Sequence, residues 1–446
     1  MNKYDTYKET NHNWIGKIPK HWKIERLKYL TKLKKEYTDT GEEELLSVTE
    51  VRGIVKRKDL RENSETSSRS DDLVGYRLVE PGDLVNNIML VWKRGLGVSP
   101  YKGVVSPAYS VFSFDEKCYS WYYNYLLRSE EYITEFRRNS TGIILSRLRL
   151  YDDSFGSVYA HYPPFEEQKI ITHYLDKKTD QIDLLIEKIK KKIEIIKEQR
   201  ITLINQCVTK GLDPKVEMKD SGIEWIGEIP KHWKAIPNKR IFLEYFGGSW
   251  GLDPEDDQKE NLVRIIRVTE FNMETLSVPS DIPTIRSLEL KSESKKYVKK
   301  NDLILEKSGG GEKTPVGRVV LVDKDLLYPT VNSNFTNICR PNLDIVHPRF
   351  VVYSLWSKYK DGQTLRNIKQ TTGIQNLDLY GFMTELFVLP PIDEQIQISN
   401  YLYEQSNTTN DMIKKLSVKI ELLKEYRKSL ISSTVTGKVR VTEDMV

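Results

Sequence analysis

Several stretches of this chain have the residue types of an active site but lack one essential member. Gly309-Gly310-Gly311-Glu312-Lys313-Thr314 supplies the glycines, lysine and threonine of a phosphate-binding loop. Such a loop needs glycine directly before the lysine so that backbone N–H groups can close round the phosphates, and Glu312 stands there instead. Tyr162-Pro163-Pro164-Phe165 has the outline of the motif with which amino-methyltransferases hold a target base. No Asp or Asn precedes its prolines to bond the exocyclic amine, and a second such stretch reads Leu389-Pro390-Pro391-Ile392. A Gly-rich cofactor loop is also missing. Asp257-Gln258-Lys259 and Glu167-Gln168-Lys169 have the acid-x-lysine form found in nucleases, without a marked partner carboxylate. The histidines at 12, 21, 161, 173, 232 and 347 show no metal-ligand spacing. These residues predict no catalytic centre, no metal and no cofactor in this chain.

The remaining polar chemistry is that of binding. Arg52, Arg57, Arg69, Lys93, Arg94 and Arg147 lie in loops of the first globular stretch, with Lys56, Lys58 and Arg137-Arg138 close by. Arg267, Lys307, Ser308, Lys313, Asn332, Asn334, Lys369 and Gln375 lie in the second, with Arg264 and Arg366. Lys and Arg in such loops neutralise phosphates, and Arg, Asn and Gln make bidentate contacts with guanine and adenine edges. These fourteen residues are the expected DNA contacts. The net charge is only +5, from 69 Lys and Arg against 64 Asp and Glu, so nucleic-acid affinity must come from local clusters.

The elements that must carry these loops are revealed by an internal repeat. WIGKIPKHWK at 14–23 returns as WIGEIPKHWK at 225–234, which is 211 positions on. Ser47-Val48-Thr49-Glu50 matches Arg267-Val268-Thr269-Glu270, Gly82-Asp83-Leu84 matches Asn301-Asp302-Leu303, and Thr141-Gly142-Ile143 matches Thr372-Gly373-Ile374. PPFEEQ at 163–168 returns as PPIDEQ at 390–395, now 227 positions on. Loop insertions account for the drift. The anchors are shared and the basic loops between them differ, so each copy is expected to read a different target.

After each Pro-Pro the periodicity becomes that of a coiled coil. Ile182, Ile186, Ile189, Ile193, Ile196 and Leu203 recur at alternating steps of four and three, with Arg200 in the seam. Ile413, Leu416, Ile420, Leu423 and Leu430 repeat the pattern, with Arg427 in the seam. The first helix is expected from Phe165 to Lys210 with a break near Asp176, its acidic first turn at Glu166-Glu167, and stops at Gly211 and Gly437. Two matching seams in one chain predict helices that pair. Chain order makes the pair antiparallel and pseudo-two-fold, ~45–50 Å long over the coiled portion at 1.5 Å per residue. The globular stretches read as mixed α and β, with strands at 46–51, 103–112, 262–268 and 316–322 and aromatic helices at 120–136 and 349–360. The predicted fold is α+β. It comprises domains at 1–162 and 213–389 and helical spacers at 163–212 and 390–446.

Three cysteines lie too far apart for a disulfide framework, and the opening Met1-Asn2-Lys3-Tyr4-Asp5 has no apolar leader. No apolar run reaches the ~18 residues of a membrane span. A soluble, cytoplasmic protein is expected.

The doubled W-I-G-x-I-P-x-H-W, the P-P-x-x-E-Q helix entries, and the K-E-x-R and V-T-x-G stretches (197–200 with 208–211; 424–427 with 435–438) closely resemble the specificity subunit of type I restriction-modification systems. The likeness runs over the whole chain in the family's order of recognition domain and conserved helix, twice. It implies a non-catalytic subunit whose two domains each bind one half of a bipartite DNA site. It also implies two modification subunits that use S-adenosylmethionine, and restriction subunits that use ATP and Mg²⁺. The Thr-Gly-Ile stretches would lie towards the DNA. From the residues alone, a protein-only coiled-coil adaptor and a methyltransferase or nuclease with an unrecognised site stay open.

Overall fold

The two copies of WIGxIPxHW and PPxxEQ lie far apart in sequence, and the fold brings each pair together. In this computed structural model, residues 3–63, 73–144, 147–254, 261–288, 294–311, 313–371 and 373–446 are described. The chain divides into two compact units, one of residues 1–189 with 418–446 and the other of residues 190–417.

In the first unit, β1 (Thr31–Lys34), β2 (Leu84–Asn86), β3 (Leu96–Val98) and β4 (Ser110–Phe114) form an antiparallel sheet in the order β1-β4-β2-β3. The turn before β2 holds Gly82 at φ +94°, and the Asp83 carboxylate accepts the backbone N–H of Glu80 at 2.8 Å while pairing with Lys34 at 2.8 Å. Helices α1 (Ser120–Leu127) and α2 (Glu130–Arg138) follow, then α3 (Phe165–Lys210), which is unbroken over 46 residues. The expected break near Asp176 does not occur, because Asp176 caps no turn and instead accepts the Tyr125 hydroxyl at 2.7 Å. The single helix expected over 120–136 is two helices. Arg128 leaves helical geometry there, and its guanidinium donates to the carbonyls of Glu50, Val51, Arg94 and Leu96.

The second unit repeats this plan. Strands β5 (Phe242–Gly247), β6 (Leu303–Glu306), β7 (Val319–Leu321) and β8 (Thr336–Pro341) pair in the order β5-β8-β6-β7. Asn301, at φ +74°, takes the place of Gly82. Asp302 accepts the Lys299 N–H at 2.8 Å and pairs with Arg340 at 2.9 Å. Helix α4 (Pro348–Lys360) packs against the sheet, and α5 (Ile392–Val435) follows Pro391.

A carboxylate at the start of each long helix joins the two motifs. Glu167 on α3 accepts the indole N–H of fully buried Trp22 at 3.0 Å, lies 2.9 Å from His21 Nε2, and also accepts the Tyr4 hydroxyl. Glu394 on α5 accepts the Trp233 indole at 2.8 Å and meets His232 Nε2 at 2.5 Å. The following glutamines repeat the correspondence. Gln168 accepts the Tyr119 N–H at 2.7 Å and donates to the Pro163 carbonyl at 2.9 Å. Gln395 accepts the His347 N–H at 2.8 Å and donates to Pro390 at 2.9 Å. Each glutamine thus ties the entry of a long helix to the start of the aromatic helix before it.

The other end of each motif is closed by glycine. In the first unit the end of α5 returns to the N-terminal motif. Gly437, at φ +74°, lies where a Cβ would fall 2.5 Å from Pro19 and 3.0 Å from Trp22. In the second unit Gly211, at φ +78°, ends α3 with only 3.2 Å between that position and Trp233. The seam positions Ile182, Ile186, Ile189, Ile193, Ile420 and Leu430 are buried, and Ile196, Leu203, Ile413, Leu416 and Leu423 are half-buried. Within the first unit Arg427 makes a bidentate pair with Asp183, at 3.0 and 3.1 Å. Within the second, Arg200 donates to Asn410 at 3.1 Å. These are the same pair 227 positions apart, so the helix pairing expected from the seam is seen inside each unit. No helix among the described residues is long and apolar enough to cross a membrane.

Two outcomes follow. Glu167→Ala leaves a buried indole N–H unpaired, a loss of about 1–3 kcal/mol. Urea unfolding of the variant should show a drop in that range, and a midpoint equal to the parent's would sink this account of the helix entry. Fully buried His161 has the Tyr132 hydroxyl 2.8 Å from its Nδ1, and burial pushes its pKa down to about 3. The unfolded imidazole binds a proton below about 6.5, where the native one does not. Stability from this group is therefore full above about 6.5 and falls towards pH 3, by up to about 1.4 kcal/mol per pH unit. The matching position is Val388. His161→Val should lose less stability than the parent between pH 7 and pH 5 in urea midpoints measured at both.

Candidate nucleic-acid interface

In each unit the strand after the central turn leads into a hairpin by the same hydrogen bond. Leu150 N–H donates to Ile88 O at 2.9 Å in the first unit, and Leu377 N–H donates to Lys307 O at 2.7 Å in the second. Ile88 and Met89 therefore match Lys307 and Ser308, and Arg149 matches Asn376.

In the second unit a small sheet of Ser308–Gly309, Ile374–Leu377 and Ile368–Thr371 presents these loops. Ser308 Oγ donates to Asn376 Oδ1 at 2.6 Å. The N–H groups of Lys307 and Ser308 both donate to Phe335 O, at 2.9 and 3.2 Å, which sets the exposed tip Asn334-Phe335 beside them. Lys369 is exposed on the neighbouring strand and pairs with Asp378 at 2.8 Å, and that bond holds the Asp378 carboxyl below its ordinary range. Lys313 is exposed on the turn between Gly311 and Thr314, and Ile374 is half-exposed at the hairpin tip. The structure thus gathers Lys307, Ser308, Asn334 and Lys369 on one rim. Glu312 and Thr372 lie outside the described residues.

Three expected contacts in this unit do not offer a free side chain. Asn332 is fully buried and donates to Thr336 O at 2.9 Å and Thr336 Oγ1 at 3.0 Å. Its matching position in the first unit is Val105, also fully buried. Gln375 is buried, with Oε1 accepting the Val316 N–H at 3.3 Å, and its counterpart Leu148 faces the same way. Both amides satisfy internal backbone groups, which corrects the expectation of outward-facing side chains. Arg267 is paired with Glu270, Nη2 to Oε1 at 2.7 Å, and Glu270 also accepts the Arg267 backbone N–H at 2.7 Å.

The first unit divides its candidates. Arg94, in left-handed geometry, donates to Arg128 O at 3.2 Å and pairs with Glu130, so it is a partly spent cation. Arg128 has only carbonyls for partners, and its burial, with the nearby guanidiniums, lowers its pKa to about 10. It joins the turn bearing exposed Arg52 to the loop bearing Arg94 and exposed Lys93. Arg57 is half-buried at the open end of the hairpin whose turn bears Arg52, and Arg69 lies outside the described residues. Arg147 is exposed in a cleft of about 560 Å³ with Met89, Thr141, Arg149 and Tyr151. The sequence reading missed Arg128 and Arg149. The alternation exposed-buried-exposed-buried over Arg147-Leu148-Arg149-Leu150 is a strand signal that would have found Arg149.

Comparison with known proteins agrees with this plan. The family model described as the type I restriction modification DNA specificity domain matches residues 253–422. The putative type I restriction enzyme MjaX specificity subunit of Methanocaldococcus jannaschii is 24% identical over 460 residues, covering 98% of each chain. The MjaVIII specificity subunit of the same organism is 23% identical over 369 residues, 80% of each. A chain solved in work on complex assembly and conformational transition of the type I R-M system superposes with a TM-score of 0.69 at 13% identity, over 95% of this chain and 99% of that one. The HsdS subunit from Thermoanaerobacter tengcongensis gives 0.55 at 14% identity, over 95% and 98%. The resemblance read from the repeated motifs is borne out.

The buried amides give a direct check on these placements. Asn332→Ala should destabilise the chain by about 1–3 kcal/mol by orphaning Thr336 groups, whereas Lys313→Ala on the surface should stay within about 0.5 kcal/mol. Equal urea midpoints for the two variants would contradict the inward placement of Asn332.

Proposed function

We propose, for a chain whose residues 253–422 belong to the type I restriction modification DNA specificity domain family, that it is the DNA-reading subunit of a type I restriction-modification complex. Residues 1–162 and 213–389 are its target-recognition domains, and 163–212 and 390–446 its helical spacers. Each recognition domain binds one half of a bipartite site in double-stranded DNA. The observation that carries this reading is the repeated interlock of Glu167 with His21 and Trp22, and of Glu394 with His232 and Trp233, beneath loops that differ in the two copies. A frame held constant with unlike side chains on its rims suits two unlike half-sites.

On this reading the chain performs no catalytic step. Two modification subunits dock on it and bring S-adenosylmethionine, and restriction subunits add ATP and Mg²⁺. Such a complex acts on DNA in the cytoplasm of a bacterium or archaeon. Exposed Lys93, Arg147 and Lys369, with half-buried Lys307, supply phosphate contacts, which bind without regard to sequence and weaken with salt.

The expected result in vivo is a gapped methylation motif that disappears when the gene for this chain is deleted. Sequencing that detects methylated bases in parental and deleted cells reads this directly. A continuous short motif, or one that survives the deletion, would overturn the proposed function.

A further inference from the structure

We propose that Arg149 reads a guanine in the half-site of the first recognition domain, a specificity role that rests on the function proposed above. Two guanidiniums, Arg147 and Arg149, project at an open cleft of about 560 Å³, and among the described residues neither side chain has a hydrogen-bond or ion-pair partner. Two other arginines of the first unit are spent. Arg94 is paired with Glu130, and Arg128 is caged by four carbonyls.

Arg147 and Arg149 differ in how firmly they are held. Arg149 is locked in register with Thr141 by reciprocal backbone bonds of 2.9 Å each, and the next residue, Leu150, is tied to Ile88 at 2.9 Å. Arg147 sits on a turn, with its N–H bonded only to Ile144 O at 2.9 Å. A guanidinium carried on a fixed backbone position can be aimed at one base edge, and guanine O6 and N7 are the pair of acceptors that it meets bidentately. A side chain on a turn suits a phosphate, which is read as charge.

The second unit supports the assignment by contrast. Asn376 takes the place of Arg149, with its Oδ1 held by Ser308 at 2.6 Å and its amide N–H groups left to donate. The same register position thus carries a guanidinium in one copy and an amide in the other, as two unlike half-sites require.

The test uses the complete chain with its methylating partner subunits in cells, reading methylated motifs by sequencing. Arg149→Gln should relax or change one guanine position in one half of the gapped motif, with discrimination there falling roughly tenfold to hundredfold. Arg149→Lys should do the same, since it keeps the charge and loses the fork. Asn376→Ala should relax a position in the other half only. An unchanged motif in Arg149→Gln overturns the assignment. So does a parental motif without guanine in the affected half, or a uniform loss at all sites that Arg149→Lys restores, the mark of a phosphate contact. A thermal melt well below the parent's in Arg149→Gln would also overturn it, by showing the side chain to be held within the fold. If the parental chain directs no gapped motif at all, the proposed function falls and this assignment falls with it.

Discussion

A carboxylate in the first turn of a long helix decides where everything else in each copy can lie. Glu167 and Glu394 stand where the helix dipole favours negative charge, yet each also receives an indole N–H from a fully buried tryptophan and faces an imidazole. A buried Trp needs a partner for its one N–H, and a half-buried carboxylate needs donors. Each motif supplies what the other lacks. The neighbouring glutamine then fixes the aromatic helix against the same entry, so domain core, helix entry and sheet become one piece. Side chains on the outer loops are free to differ because none of this depends on them.

That separation explains how the two copies diverged. Matching core positions exchange one buried residue for another, Val105 for Asn332, Leu148 for Gln375 and Val388 for His161, and the polar member always finds backbone or hydroxyl partners inside. The turn carboxylates Asp83 and Asp302 keep their backbone bond and change only the cation, Lys34 in one copy and Arg340 in the other. Rim positions exchange chemistry outright, as Ile88 does for Lys307 and Arg149 for Asn376.

The sequence made the frame legible because its signals are local and repeated. Helix α3 runs from Phe165 to Lys210 as the Pro-Pro entry, the heptad and Gly211 indicate, and the turn before Leu84 enters a strand as Pro-Gly-Asp suggests. The likeness of His21 to His232 pointed to packing or hydrogen bonding, although their shared acceptor could not be read, since Glu167 is 146 positions away from His21. The rims were harder. Basic residues in a loop give no sign of which are already paired, so Arg94 and Arg267 stood beside Lys93 and Arg147 as equals. Asn332 and Gln375 looked available because amides are usually outside, and only their apolar counterparts reveal inward positions. Arg128 lies in an aromatic helical stretch with nothing to mark the turn it makes.

The return of α5 to the N-terminal motif sets an order of events during synthesis. The second unit is one continuous stretch, 190–417, and can close once that stretch has emerged. The first unit begins at the start of the chain but needs residues 418–446, with Gly437 against Trp22 and Val435 O accepting the Tyr122 hydroxyl at 2.8 Å. Domains commonly complete themselves in the order in which they leave the ribosome. Here that order is reversed. The part made first is finished last, and until Gly437 has been added Trp22 lacks the residue that closes over it.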